Sequence, residues 1–183
     1  LRREEIWAIT AYVISLGTGE FVPVSGKLEI GEQVAMDELS VEARKGRTLF
    51  FDLTNEKRCA VCHRIGSQGS VIGPELASVA SKKSEEALSR DITDPGAAIA
   101  RGFEQTIVIA TDGRRASGIE KDRNGERVRI YDTTAVPPPL RTFYKDQIES
   151  VSNSSVSSMP TGYGDMYSSR ELSEIIAFLK SGG

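Results

Sequence analysis

Two cysteines and a histidine lie within five consecutive positions, Cys59-Ala60-Val61-Cys62-His63, and the chain has no other cysteine or histidine. A structural zinc site needs four Cys or His ligands, and this chain offers three. A thioredoxin-like dithiol is disfavoured because residues 54–58, which precede the motif, are polar and turn-like rather than a core strand. A disulfide between the two cysteines would close a very small loop and stabilise little. The motif therefore indicates a different chemistry.

Two thiols three positions apart with a histidine directly after them are the pattern on which haem is attached covalently. The two sulfurs can form thioethers with the two vinyl groups of a haem, while the neighbouring imidazole can take one axial position on the iron. We therefore expect one covalent haem c bound through Cys59 and Cys62, with His63 as an iron ligand.

A Gly73-Pro74 pair follows the motif after a glycine-rich loop. The Pro74 carbonyl could accept a hydrogen bond from the imidazole nitrogen that does not bind iron, which would orient the ring and raise its donor strength. A Gly-Pro pair is also an ordinary turn sequence. In the context of the haem motif, we count Pro74 among the cofactor-binding residues.

The second axial ligand has to come from another part of the chain, and the three methionines are the candidates. A thioether is a soft, neutral ligand that raises the reduction potential relative to a second imidazole. We favour Met159, because it lies in an irregular segment just before a strongly predicted helix. Met166 is the alternative ligand. Met36 precedes the haem motif among acidic residues and is expected to be a surface or packing residue.

From about Ser40 to Gly183 these features resemble a class I c-type cytochrome. An opening helix is predicted over 41–50 with Ser40 as its N-cap, and a closing helix over 169–179 with its apolar residues on one face. A further helix is predicted to begin at Ser84 and to end near Asp94-Pro95. The resemblance implies that the terminal helices cross at Gly46, Phe50 and Phe178. It also implies a mainly α fold around the covalent haem.

The long interval between His63 and Met159 predicts an inserted small antiparallel β-sheet at about 104–150. A β-branched run over 105–111 is followed by the turn Asp112-Gly113, and the next strand ends before the turn Asn124-Gly125. In the third predicted strand Val128 and Ile130 alternate with arginines, so one face should be buried. Residues 137–139 are three prolines, which we expect to form an extended connector.

Several segments make the chain similar to the haem-binding domains found in Planctomycetes, Verrucomicrobia and related bacteria, which are often attached to sugar-dehydrogenase-like or other large domains. These segments are 59–63, 73–76, 91–95 with Ile99, 111–113 with Gly118, and 158–160. The resemblance implies that the chain is an electron carrier rather than an enzyme, and that it can be a domain of a larger dehydrogenase.

The first 16 residues predict a helix whose apolar pattern parallels that of the closing helix. Two interpretations stay open: this helix ends a preceding domain, or it packs on the cytochrome domain over 40–183. Residues 17–39 are rich in glycine and predict a linker.

The net charge of −3 gives no reason to expect nucleic acid as a partner, and no apolar run is long enough to span a bilayer. The resemblance implies haem attachment outside the cytoplasm, so we expect a periplasmic or otherwise extracytoplasmic protein.

The expected function is one-electron transfer between a dehydrogenase and a respiratory acceptor, with redox proteins as partners. The alternative is a haem enzyme or sensor in which the Met159 loop opens to admit peroxide or a small gas. The β insertion could also dock the domain to a parent enzyme.

Overall fold

The computed structural model of the chain describes residues 39–52 and 59–182. The predicted helix over 1–16, and the predicted linker except for its last residue, lie outside this part. The same holds for Met36 and for residues 53–58, which include the polar run before the haem motif.

Six helices lie in the described part of the chain: α1 (Val41–Phe50), α2 (Cys59–Cys62), α3 (Leu76–Ala80), α4 (Glu85–Thr93), α5 (Tyr163–Met166) and α6 (Ser169–Lys180). The predicted caps are present. The Ser40 side chain accepts a hydrogen bond from the Ala43 N–H at 3.1 Å, and Ser84 caps α4 in the same way. Ser168 and Glu171 form a capping box at the start of α6. These side chains satisfy N–H groups that have no partner within the helix, which sets where each helix begins.

Helices α1 and α6 cross at the predicted small residue. A Cβ atom added to Gly46 would lie 1.8 Å from the carbonyl oxygen of Glu174, so only glycine allows the two backbones to approach this closely. Next to the crossing, the rings of Phe50 and Phe178 are 5.6 Å apart between centroids. Both side chains are almost fully buried. The crossing at Gly46, Phe50 and Phe178 is therefore confirmed.

Seven strands lie in the described part, and two of them form a short antiparallel hairpin, β1 (Arg64–Ile65) with β2 (Gln68–Gly69). The other five are β3 (Gln105–Ala110), β4 (Arg115–Arg123), β5 (Arg127–Asp132), β6 (Leu140–Tyr144) and β7 (Ile148–Ser154). They form one antiparallel sheet in the order β6-β5-β4-β3-β7. The first three of these strands are the predicted meander, and Val128 and Ile130 are buried as expected.

The prediction of a mainly α fold is wrong. Of the described residues, 34% are helical and 27% lie in strands, so the chain is a sheet-rich α+β protein. The difference comes from the two edge strands, β6 and β7, which extend the predicted three-stranded meander to a five-stranded sheet. It also comes from the shortness of α2, α3 and α5, which have four or five residues each.

The helices and the sheet have separate apolar clusters. The helical cluster contains the buried faces of α1 and α6 together with residues of the shorter helices, including Tyr163, and Tyr167, which directly follows α5. The sheet cluster contains Val108, Val128, Ile130 and Phe143. Because each element has its own core, residues that lie between the two clusters are available to line a site.

Candidate functional site

Helix α2 places the two cysteines and the histidine on one tight turn. The His63 N–H donates to the Cys59 carbonyl at 2.9 Å, which continues the helical hydrogen-bond pattern by one residue. The chain then folds back on this turn. The Ser70 N–H donates to the Ala60 carbonyl at 3.1 Å, and the Gly73 N–H donates to the Cys62 carbonyl at 2.6 Å. No disulfide joins the two cysteines.

The His63 ring is fixed on two sides. Its Nδ1 atom lies 2.9 Å from the carbonyl oxygen of Pro74. A carbonyl can only accept, so Nδ1 carries the hydrogen and Nε2 keeps its lone pair. The face of the ring lies against Gly73, where an added Cβ would be 2.7 Å from the ring atom Cε1. Gly73 therefore provides the space that the imidazole occupies, and Pro74 sets its tautomer.

Burial governs the protonation of all three side chains of the motif. Burial raises the pKa of the Cys59 thiol to about 11 and also raises the pKa of Cys62. Burial lowers the pKa of His63, and its hydrogen bond to Pro74 only partly offsets this effect. Near neutral pH the chain thus holds two protonated thiols and a neutral imidazole, which is the form of histidine that binds metals.

A cavity of about 280 Å³ lies next to this turn, and its lining is mainly apolar. The lining includes all five residues predicted to bind the cofactor, namely Cys59, Cys62, His63, Pro74 and Met159. Among the described residues, Met166 is not part of this lining. It is a partly buried residue that packs against the helical cluster. The structure thus brings Met159, rather than Met166, into the same cavity as His63.

Other parts of the cavity wall were not anticipated from the sequence. Phe103 precedes the sheet, Ile119 lies on β4, and Thr133, Ala135, Val136 and Pro138 belong to the connection between β5 and β6. The triple proline at 137–139 was the only sequence feature that marked this connection, and it gave no indication of a cavity. Tyr163 on α5 also lines the cavity, and burial raises the pKa of its phenol.

One charged pair lies in the same lining. The Lys83 ammonium is 2.5 Å from the Asp91 carboxylate, and both side chains are about one-third exposed. A pair exposed to this degree contributes little to stability. It places two charged side chains in a lining that is mainly apolar.

Two observations show that the cavity fits a large apolar group that carries hydrogen-bond acceptors. The first is the apolar lining around two thiols and a neutral imidazole. The second is the Oγ atom of Ser158, which is buried in the lining and has no hydrogen-bond partner among the described residues. Buried hydroxyl groups are normally paired, and a porphyrin with carboxylate side chains would offer an acceptor. The residues present therefore fit a haem.

Residues 43–109 match the family model described as Cytochrome c. The match spans a little over a third of the chain, from within α1 to within β3, and contains the motif 59–63. It supports a c-type cytochrome, a family whose members bind haem c covalently and transfer electrons through the haem iron. Haem c is therefore the cofactor of this segment, and electron transfer is its general role. No curated protein matches the chain.

The matched range ends within the first strand of the five-stranded sheet. The remainder of the sheet and the Met159 segment lie beyond the match. None of the helices in the described residues is long and apolar enough to cross a membrane.

Proposed function

We propose that this chain is an electron-transfer cytochrome in which Cys59 and Cys62 attach one haem c, with His63 and Met159 as the axial ligands of its iron. The observation that supports the proposal best is that one apolar cavity is lined by both thiols, by the neutral imidazole and by the Met159 side chain. A bound haem c would supply an iron that accepts and releases single electrons.

Each of these residues has a defined task in the proposal. Pro74 holds the His63 ring by its Nδ1–H, so that Nε2 is the nitrogen available to the metal. Met159 offers a soft thioether that suits an iron which changes its charge. The apolar lining excludes water, which limits solvent reorganisation when the charge changes. With His63 and Met159 both bound, the iron would have no free position for a substrate, which would distinguish a carrier from a haem enzyme.

We further propose that the partners are a dehydrogenase, which supplies the electron, and a respiratory acceptor, which receives it. The haem would be attached outside the cytoplasm, in the periplasm or an equivalent compartment. The similarity to the haem-binding domains of Planctomycetes and Verrucomicrobia supports a domain attached to a larger dehydrogenase.

Spectroscopy of the oxidised protein tests the ligand pair. A methionine bound to ferric iron gives a weak near-infrared charge-transfer band, so we expect this band in the native protein. Met159→Ala should abolish the band, whereas Met166→Ala, the matched control, should retain it. If Met166→Ala abolishes the band and Met159→Ala does not, our assignment of the ligand is wrong. If the native protein lacks the band and binds carbon monoxide or cyanide rapidly, the open-iron alternative is correct.

The covalent bond is tested separately. Protein matured in a host that attaches haem should stay coloured after denaturation in acidic acetone, and its mass should exceed that of the bare polypeptide by one haem. Cys59→Ser and Cys62→Ser should each leave a single thioether bond. A colourless precipitate with the mass of the bare polypeptide would refute the proposal.

A further inference from the structure

The connection between β5 and β6, residues 133–139, forms one wall of the haem cavity and is called the cavity loop below. Thr133, Ala135, Val136 and Pro138 all line the cavity that holds the thiols, His63 and Met159. Val136 is 59% exposed, so it lies both at the cavity and at the surface. The cavity loop therefore separates the cavity from solvent.

The cavity loop is held at its base by one buried acid. Asp132 is the last residue of β5, and only 3% of its surface is exposed. Its Oδ1 accepts hydrogen bonds from the backbone N–H of Thr134 at 3.1 Å and from the Thr134 hydroxyl at 2.6 Å. Its Oδ2 accepts from the Arg141 guanidinium on β6 at 2.5 Å. A buried carboxylate with this number of donors is a strong anchor, because each bond involves a charged group.

Backbone hydrogen bonds close both ends of the cavity loop. The Asp132 N–H donates to the Pro139 carbonyl at 2.9 Å, and the Thr133 N–H donates to the Ser117 carbonyl on β4 at 3.1 Å. Asp132 thus contacts the first residues of the loop through its side chain and the last residue through its backbone. Without the carboxylate, Thr134 and Arg141 would both lose their partner.

We propose that Asp132 is a positioning residue for the haem pocket: it holds the cavity loop over the haem and so keeps water away from the iron. The proposal rests on the proposed function, because it requires a haem in the cavity. An apolar cover favours the form of the iron with the lower charge, and so raises the reduction potential. Releasing the loop should therefore lower the potential although Asp132 does not touch the ligands of the iron.

The test compares Asp132→Asn and Asp132→Ala with Asp122→Asn in the haem-loaded protein. Asp122 is the matched control, because it also forms an ion pair with an arginine of the sheet, Arg129, but lines no part of the cavity. The readouts are amide hydrogen exchange in residues 133–139 and the reduction potential measured by spectroelectrochemistry. A lost hydrogen bond to a charged group should speed exchange in the cavity loop about tenfold or more.

We expect both Asp132 variants to speed exchange in the cavity loop, with the larger effect in Asp132→Ala. Both should lower the potential, although the loss of a negative charge would by itself raise it. Asp122→Asn should change neither. Faster exchange with an unchanged potential would overturn the inference, because the loop would then be fixed by Asp132 without sheltering the haem. Unchanged exchange would overturn it as well.

A second variant covers the case in which Asp132→Ala does not fold. Thr134→Val removes the 2.6 Å hydrogen bond between the Thr134 hydroxyl and Asp132 Oδ1 and changes no charge, so it should also speed exchange in the cavity loop. The potential should fall in this variant as well, because the loop is held less firmly; an unchanged potential would contradict the inference. If the proposed function itself is wrong, the result differs from a failure of this inference. The native protein would then carry no covalent haem and would show no redox wave at all.

Discussion

The Nδ1 atom of His63 lies 2.9 Å from the carbonyl oxygen of Pro74. Gly73, the residue directly before this proline, lies against the face of the same ring. One dipeptide therefore sets both the tautomer and the position of the only histidine in the chain. This arrangement makes Gly73 as important to the geometry of the proposed iron ligand as the hydrogen bond itself.

Gly73→Ala should displace the imidazole. An added Cβ would lie 2.7 Å from Cε1 and 2.8 Å from Nδ1 of His63, and such a contact forces the ring to move. We expect a weaker bond between Nε2 and the iron, seen as a shift of the reduction potential and of the absorption spectrum. Gly96→Ala is the control, since its nearest neighbour would be 3.9 Å away. Identical spectra for Gly73→Ala and the native protein would mean that the ring is not the ligand.

Ser158→Ala tests whether the cofactor pairs with the buried hydroxyl. If the Ser158 Oγ donates to a haem acceptor, its removal should cost about 1 kcal/mol of stability in the haem-loaded protein and shift its potential. If the hydroxyl stays unpaired, the same substitution should be neutral or stabilising, because it removes a buried polar group without a partner. Chemical denaturation of the haem-loaded protein separates the two outcomes, with the exposed Ser155→Ala as control.

Helices α1, α4 and α6 and the central strands could be predicted because their determinants are local. Ser40 and Ser84 are N-caps, α6 has its apolar residues on one face, and Asp112-Gly113 and Asn124-Gly125 form the two turns of the meander. The haem motif is local as well, and so is Gly73-Pro74. For these features the relevant contacts lie within about a dozen residues of each other.

The edge strands could not be predicted, because their sequences lack the alternation that identifies a half-buried strand. In β6 only Phe143 is buried, and β7 has no buried residue and no period of two. Strand β7 also pairs with β3, which is distant in sequence. The wall formed by the cavity loop was also missed. Its position at the haem cavity depends on how the sheet packs against the helices, and no local sequence pattern encodes that packing.

Acid should weaken the segment that follows Pro74. The Glu75 carboxylate accepts hydrogen bonds from the N–H groups of Ala77 at 3.0 Å, Ser78 at 2.9 Å and Gly66 at 3.2 Å, so it caps α3 and ties it to the β1–β2 turn. These bonds, chiefly the one from Ser78, hold the pKa of Glu75 below its ordinary value of 4.5. A lowered pKa in the folded state means that the stabilisation is complete above pH 4.5 and is lost as the pH falls through the folded-state pKa.

We therefore expect Glu75→Ala to lose about 1 kcal/mol of stability at pH 7, the usual cost of removing an N-cap. The difference from the native protein should be full at pH 7 and should narrow as the pH falls below 4.5, for example at pH 3. Urea unfolding at the two pH values measures it. An equal difference at both values would show that the charge of Glu75 does not contribute.

Gly46→Ala should be the most destabilising of these single substitutions. The added methyl group would lie 1.8 Å from the Glu174 carbonyl oxygen, which is backbone and cannot rotate away, so helices α1 and α6 would have to separate. Separation would also pull apart the buried rings of Phe50 and Phe178. We expect a loss of about 3 kcal/mol in the free energy of unfolding, at the upper end of the usual cost of overpacking, although alanine has the higher helix propensity.

Gly125→Ala is the control, because its Cβ would meet open space. Thermal unfolding of the haem-loaded proteins measures the loss, and a stability equal to that of the native protein would show that the crossing tolerates a wider separation than the contact at Gly46 indicates.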